Sequence, residues 1–201
     1  MLERAVHHVT AVQHPPGGPQ IIERIYAVSD IHGHLPQLHA ALDVVDLDGD
    51  PGASLVLLGD YIDRGVHSME VLRLVKQVRD RHPGRVIALL GNHEVDFLEW
   101  LDGDDEDPSW LAADEDFTTV RSFVPDAELD AILAAYEDDL DGTSLNSAIK
   151  RAVVAHHRDL VAWLKRLPLF HEAEHAIYVH AGVDEEAGAS WRSVTPISTI
   201  R

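Results

Sequence analysis

Four short apolar runs in this chain each end in side chains that can bind metal ions or phosphate. The segments that follow the runs are Ser29-Asp30-Ile31-His32-Gly33, Gly59-Asp60-Tyr61-Ile62-Asp63-Arg64-Gly65, Gly91-Asn92-His93-Glu94 and His180-Ala181-Gly182. In open α/β sheets, ligands bind outside the carboxyl ends of the strands. Carboxylate, imidazole, amide and guanidinium groups would therefore meet at one sheet edge. This combination is typical of a metal and phosphate site.

The spacing of these residues indicates how two cations could be held. Asp30 and His32 lie two residues apart on an extended segment, so their side chains project to the same side. Asp60 has two carboxylate oxygens, one for each cation, while Asn92 and His180 offer an amide oxygen and an imidazole to the second. Mixed carboxylate and imidazole ligation favours Mn²⁺ first, with Fe or Zn²⁺ as alternatives, over Ca²⁺. A pair of such ions activates water and clamps a phosphoryl group for in-line attack.

Three further side chains fit phosphoester chemistry. Arg64 offers a bidentate fork to phosphate oxygens, and a salt bridge to a surrounding acid is its structural alternative. His93 stands beside a ligand residue, where it can protonate a leaving-group oxygen, and Asp63 can hold that imidazole in its charged form. The sequence has neither a Gly-rich phosphate loop with its lysine nor a serine in a nucleophile elbow.

The elements that must position these residues alternate between strand and helix. Apolar patterns predict strands ending at 28, 58, 90 and 179, and helices from Pro36, over Met69–Asp80, after Glu94, over Ala127–Leu140 and over 151–166. This alternation predicts βαβ units and a largely parallel sheet whose right-handed crossovers place the motif loops on one edge. Residues 1–20 contain a Pro- and Gly-rich stretch and are predicted to be an N-terminal extension or linker. The domain then covers 21–201, with an acidic helical cap insertion at about 100–150.

Composition limits the partners and the compartment. The chain has 201 residues and a net charge of −19, which disfavours nucleic acid and anionic membranes as partners. With no cysteine among its residues and 14 histidines, metal ligation falls to imidazole and carboxylate. The first residues lack the apolar core of a signal peptide, so we expect a cytoplasmic protein. The acidic insertion is either a solvated face or a cap that discourages acidic substrates.

Taken together, the four motifs resemble the calcineurin-like, phosphoprotein phosphatase (PPP-type) metallophosphoesterases, especially the bacterial serine/threonine phosphatase-like members. The resemblance covers about residues 22–182 and implies an α/β fold, a four-layer αββα sandwich with a dinuclear site at the strand ends. It implies that Asp30, His32 and Asp60 hold one metal ion, that Asp60, Asn92 and His180 hold the other, that His93 is an acid paired with Asp63, and that Arg64 and Asn92 bind phosphate.

The resemblance is incomplete near the C-terminal end. The family has a further metal-binding histidine in a Gly-His-Thr-like segment some tens of residues after His-Ala-Gly, and no such segment occurs before Arg201. We therefore expect an incomplete second sheet, and either a truncated form or a substitute ligand. The nearby candidates are His156, His157, His171 and His175. Arg201 is the candidate for the family's phosphate-binding arginine in a Trp-x-Arg-like segment.

Three functions are compatible with these residues. The leading one is metal-dependent hydrolysis of phosphomonoesters, on a phosphorylated protein (phosphoserine or phosphothreonine) or on a small phosphoester. Asp63 and Glu94 favour it, because the related symmetrical dinucleoside-tetraphosphate hydrolases tend to carry Ala and Asp there. The second is dinucleoside polyphosphate hydrolysis. The third is a non-catalytic binding or regulatory protein with the same fold and an incomplete second metal site.

Overall fold

A mainly parallel sheet forms the centre of the computed structural model, which describes residues 6–10, 24–139 and 142–194. Its strands are β1 Val6–Thr10, β2 Arg24–Val28, β3 Ala53–Leu57 and β4 Val86–Ala88, in the order β1-β2-β3-β4. β2 pairs in parallel with β3, and β3 with β4. The βαβ units and the α/β class predicted from the sequence are therefore confirmed.

The first strand lies within residues 1–20, the segment predicted to be an N-terminal extension or linker. Val6–Thr10 pair with β2 in antiparallel register, with Val6 opposite Val28 and Thr10 opposite Arg24. An uncovered edge of β2 would leave its backbone donors and acceptors unpaired, and the added strand satisfies them. The Pro- and Gly-rich stretch at 15–19, on which the linker prediction depends, lies outside the described residues.

The helices follow the strands in the predicted order. They are α1 Leu35–Val45, α2 Ser68–Arg81, α3 Asn92–Asp102, α4 Ser109–Ala113, α5 Thr118–Phe123, α6 Asp126–Ala135, α7 Thr143–Leu164 and α8 Trp191–Val194, with short 3-10 turns at Glu115–Phe117 and Glu185–Ser190. The amphipathic spacing explains why they dock: in α2, Val71, Leu72 and Val75 share one buried face. In the described part of the chain, no helix has the length and apolar character needed to cross a bilayer.

Alternate residues of the parallel strands face two different layers. Leu55 and Leu57 are fully buried in the large core that the helices cover. Val56 points the other way, into a small cluster with Leu89 and Tyr178. This period of two is the expected geometry of a strand that is covered on both faces.

The second face is covered by a hairpin of β5 Phe170–Glu172 and β6 Ile177–Val179. Tyr178 points from the hairpin toward the main sheet. Phe170 pairs with Val179, and these two residues lie on the face of the hairpin opposite to Tyr178. The Phe170 ring packs edge-on against Trp191 of α8, with ring centroids 5.0 Å apart. The layers are therefore helices, sheet, sheet and helix, which confirms the αββα expectation. Within the described residues the second sheet has two strands.

Candidate metal centre

Three loops leave the carboxyl ends of β2, β3 and β4, and the first two of them have an unusual backbone conformation. Asp30, His32, Asp60, Asp63 and Arg64 all have left-handed φ values, between 45° and 68°. Non-glycine residues adopt this region rarely, at a cost of about 1–3 kcal/mol each, and mostly at functional sites. The surrounding structure must hold these loops firmly for the conformation to persist.

Two glycines allow the loops after β2 and β4 to lie in contact with the loop after β3. A Cβ atom on Gly91 would lie 2.1 Å from Asp60 Oδ1 and 2.4 Å from Asp60 N. Gly33 has a φ of 65°, and a Cβ atom there would lie 2.4 Å from the carbonyl oxygen of Gly65. A side chain at either position would push the Asp60 loop (residues 59–65) away from its neighbours.

Glu94 holds the Asp60 loop from the other side. It is completely buried, and its two carboxylate oxygens accept hydrogen bonds from backbone N–H groups. The donors are Asp60 at 2.8 Å, Gly91 at 3.0 Å, Tyr61 at 2.7 Å and Ile62 at 3.2 Å. Burial and the nearby Asp60 charge raise the pKa of Glu94 to about 7, while these N–H donors oppose the shift. One side chain thus joins the loop after β3 to the start of α3.

Asp60 lies at the centre of the site. Its carboxylate is a member of two groups whose possible metal ligands lie within 4.8 Å of one another: one with His32 and His93, the other with Asp30 and His180. Burial acts to raise the pKa of Asp60, but the hydrogen bond and charge of His180 and the charge of His93 outweigh it, so the pKa is lowered. The structure therefore places Asp30 with His180, whereas the resemblance pairs Asp30 with His32.

The His32 ring is oriented as a metal ligand would be. Nδ1 lies 2.7 Å from the carbonyl oxygen of Ile62, and because a carbonyl can only accept, Nδ1 carries the proton. Nε2 is buried, lies 3.5 Å from Asp60 Oδ2 and has no hydrogen-bond partner among the described residues. Metal-binding histidines commonly donate their other ring N–H to a carbonyl in this way. Burial lowers the pKa of His32, which favours the neutral imidazole.

The His180 ring belongs to the second ligand group, and its Nδ1 also faces a backbone carbonyl oxygen. Nδ1 lies 3.2 Å from the carbonyl oxygen of Leu58, while Nε2 lies 3.2 Å from Asn92 Oδ1 and 3.3 Å from Asp60 Oδ2. The hydrogen bond to Asp60 raises the pKa of His180. An imidazole nitrogen, an amide oxygen and a carboxylate oxygen converge on one point, which is a donor set that a divalent cation fits.

His93 pairs with Asp63 beside these groups. His93 Nδ1 donates to Asp63 Oδ2 over 2.6 Å, and this hydrogen bond raises the pKa of His93. His93 Nε2 lies 3.8 Å from Asp60 Oδ2, and the ring stands edge-on to His32 with centroids 4.7 Å apart. The pairing therefore favours the charged form of the imidazole, and the other ring nitrogen faces the candidate metal ligands.

A cavity of about 540 Å³ opens next to this pair. Arg64, Asp63, His93 and Trp110 are among the residues that line it. The lining also includes four further acidic residues, from α3 and from the segment between α4 and α5: Asp96, Asp114, Glu115 and Asp116. Arg64 is exposed and makes no ion pair with any carboxylate that the structure describes. The cavity lining therefore combines one arginine with several carboxylates.

The substitute ligands considered from the sequence lie elsewhere. His156 pairs with Glu128 at 2.6 Å, and His157 with the Phe123 carbonyl oxygen at 2.7 Å. His171 stacks on Tyr178, and His175 lies beside Glu174. None of the four belongs to either of the ligand groups found among the described residues. Arg201 lies outside the described residues.

An αββα sandwich with carboxylate and imidazole groups at its strand ends is the architecture of metal-dependent phosphoester hydrolases. The model of the calcineurin-like phosphoesterase family matches residues 23–191, and the chain belongs to that family. The resemblance found in the motifs is thereby confirmed. Membership implies divalent metal ions, and the donor sets around Asp60 fit them.

Curated relatives match a shorter part of the chain. A catalytic subunit of protein phosphatase 2A from Dictyostelium discoideum is 37% identical over 76 residues, which are 37% of this chain and 23% of that protein. Serine/threonine-protein phosphatase PP2A-like PPG1 of Candida albicans is 41% identical over 71 residues, 35% of this chain and 16% of that protein. The chain thus aligns with less than a quarter of the length of these relatives.

A solved structure of a cold-active protein tyrosine phosphatase variant is similar to 85% of this chain and 45% of its own chain. The sequence identity is 24% and the TM-score 0.49.

Sequence reasoning misses the part that two residues play at the site. In the sequence, Glu94 serves only to distinguish between related families. A Glu three residues after a helix N-cap is, however, a recognisable capping signal. Thr119 donates to Asp63 Oδ1 over 2.6 Å from 56 positions away. A threonine in a helix first turn gives no signal of such a contact, because it is ordinary capping composition.

Proposed function

We propose that this chain is a metal-dependent phosphoesterase that hydrolyses phosphomonoesters, with phosphoserine or phosphothreonine in proteins as its substrate class. One observation carries the proposal: the His93–Asp63 pair presents an imidazole nitrogen 3.8 Å from the carboxylate that both ligand groups share. Proton donor and candidate metal ligands are therefore within the reach of a single phosphoryl group.

The proposed reaction follows from these positions. Water adds to phosphorus, the bond between phosphorus and the ester oxygen breaks, and inorganic phosphate and an alcohol are released. The proton for the departing oxygen comes from Nε2 of His93, since Nδ1 is occupied by Asp63. Arg64, which lines the same cavity as His93, binds the non-bridging phosphate oxygens with its guanidinium fork.

In this proposal Asp60, Asp30, His32, Asn92 and His180 hold two divalent ions, and manganese is the first candidate, with iron and zinc as alternatives. Such ions supply Lewis-acid activation of water and charge neutralisation at the phosphate. A cytoplasmic location, and the absence of nucleic acid and membrane partners, stay predictions from composition.

The cavity lining favours a phosphomonoester over a dinucleoside polyphosphate. In this cavity, a second nucleotide and its polyphosphate chain would meet four carboxylates: Asp96, Asp114, Glu115 and Asp116. Like charges repel each other, and Arg64 offsets only part of the acidic lining. Apart from its phosphate, a phosphoserine or phosphothreonine brings only an alcohol side chain and its backbone into the cavity.

The test is hydrolysis by the chain after chelation, with and without restored Mn²⁺, on a phosphoserine peptide and on diadenosine tetraphosphate. We expect Mn²⁺-dependent release of phosphate, faster from the peptide. A reversed preference would support dinucleoside polyphosphate hydrolysis instead. Folded protein that binds fewer than two ions per chain and turns over neither compound would support the non-catalytic alternative.

A further inference from the structure

The start of α5 reaches back to the His93–Asp63 pair from the acidic insertion. Thr119 has no exposed surface, and its hydroxyl donates to Asp63 Oδ1 over 2.6 Å. The other oxygen of the same carboxylate, Oδ2, accepts from His93 Nδ1, also at 2.6 Å. The Asp63 carboxylate therefore joins a hydroxyl of the insertion to the imidazole of the site.

Thr119 is itself held in place by its neighbours in the insertion. Asp114 accepts from the backbone N–H groups of Thr119 and Val120, at 2.9 Å and 3.0 Å. One turn further on, Ser122 Oγ accepts from the backbone N–H of Met69 over 3.1 Å, which fastens α5 to the first turn of α2. The Thr119 hydroxyl therefore lies on a helix that is itself held in place by hydrogen bonds at both of these positions.

The backbone of Asp63 is anchored separately. Its N–H donates to Ser68 Oγ over 3.1 Å, and Ser68 is fully buried. This bond fixes where the side chain begins, but the carboxylate can still turn about its last torsion, which is broad for Asp. A second hydrogen bond on the far oxygen removes that freedom.

We propose that Thr119 is a positioning residue for the leaving-group acid: its hydroxyl fixes the Asp63 carboxylate so that His93 presents Nε2 to the departing oxygen. The inference rests on the proposed function. In a purely structural role, the hydroxyl would only satisfy a carboxylate oxygen, and its loss would affect all substrates alike.

The leaving group separates the two roles. p-Nitrophenolate departs readily without a proton, whereas the alkoxide of a phosphoserine peptide needs one, so only the second reaction depends strongly on an aligned acid. Thr119→Val keeps the shape and removes the donor, while Thr119→Ser keeps the donor. We expect Thr119→Val to lower kcat about tenfold on the peptide, the equivalent of one hydrogen bond, and by less than about twofold on p-nitrophenyl phosphate. Thr119→Ser should stay near the wild-type ratio of the two rates.

A second readout does not need turnover. The ¹H NMR resonance of His93 Nδ1–H in the metal-free chain reports its hydrogen bond to Asp63, and it should move or broaden in Thr119→Val but not in Thr119→Ser. Thermal unfolding establishes that both variants fold.

Equal loss on both substrates with an unchanged resonance, or no loss on either, would overturn the inference. A wild-type chain with no phosphatase activity would overturn the proposed function instead, and the resonance would then decide the role of Thr119 alone.

Discussion

Two of the loops that build the candidate metal centre, the Asp60 loop and the His180 loop, are held in very different ways. The Asp60 loop is mostly buried and contains three non-glycine residues with left-handed φ values, and three of its backbone N–H groups donate to Glu94. The His180 loop (residues 180–182) follows a three-residue strand, and it is held through the His180 ring, whose Nδ1 contacts the Leu58 carbonyl oxygen and whose Nε2 contacts Asn92 and Asp60. The difference teaches that one half of the centre is preformed by the α/β core, and the other half depends on a small hairpin.

The apolar clusters that support these two loops also differ, in their size. β3 lies between two parallel partners and contributes Leu55 and Leu57 to the large helical core. The hairpin contacts the main sheet through a cluster in which Val56, Leu89 and Tyr178 are the buried members. We therefore expect variants of the Asp60 loop to affect the whole centre, and variants of the hairpin to affect one ligand group.

The largest effect should come from Asp60→Asn. Asparagine keeps an oxygen for the His93 N–H but removes the charge that both ligand groups share. Turnover should fall to background, and bound Mn²⁺ measured by elemental analysis should be lost from both positions. His180→Ala is the matched comparison and should lose one ion. An Asp60→Asn protein that retains two ions would contradict the shared role of this carboxylate.

His93→Asn should be next. Turnover of a phosphoserine peptide should fall by about 10²–10⁴-fold, as expected for the loss of a general acid. Metal content should change little, because in the proposed site His93 donates a proton rather than binding an ion. Steady-state kinetics and elemental analysis on the same sample provide both measurements. Wild-type turnover in the variant would remove His93 from the mechanism.

Glu94→Gln tests the rigidity of the Asp60 loop directly. The amide retains one acceptor oxygen, so its NH₂ group must face backbone N–H donors that the carboxylate now satisfies. We expect the free energy of unfolding to fall by about 2–4 kcal/mol, from two buried donors left unpaired. Urea unfolding of the chelated protein measures it. Glu106→Gln, at an exposed position, is the control and should change little.

The smallest effect should come from Tyr178→Leu, which loosens the hairpin. Leucine preserves apolar contact with Val56 and Leu89 but loses the stacking on His171. We expect the affinity for one of two Mn²⁺ ions to weaken about tenfold, as for residues that orient a metal ligand. Calorimetric titration with Mn²⁺ would show it. Equal weakening at both positions would mean that the two halves of the centre are not independent.

Much of the fold is predictable because it follows local rules. The apolar runs of β2, β3 and β4, each ending at a glycine or a polar loop, and the amphipathic faces of α2 and α7 are contained in short windows of sequence. The neighbourhood of Asp30, Asp60 and Asn92 follows from parallel strands, whose carboxyl ends share one edge. His180 follows β6 of the second sheet, and its place beside them is implied by the family resemblance.

The remainder depends on contacts between distant segments. Val6–Thr10 become a strand only because β2 offers a free edge, and β5 is too short to show an alternation. The grouping of Asp30 with His180 depends on loop conformations with positive φ, which no pattern of apolar residues encodes. Thr119 reaches Asp63 through the docking of α5 on α2, which is decided by tertiary packing.

The link between Glu94 and the Asp60 loop also has a consequence in time. The backbone N–H of Asp60 finds its acceptor only when a carboxylate 34 residues further along the chain has arrived. Closing that separation requires β4 to pair with β3 and α3 to begin, a non-local step that is slow relative to helix formation. We therefore expect a growing chain to acquire its first metal affinity only after residue 94 has been synthesised and docked, which protects an early, half-formed Asp60 loop from capturing an ion in the wrong geometry.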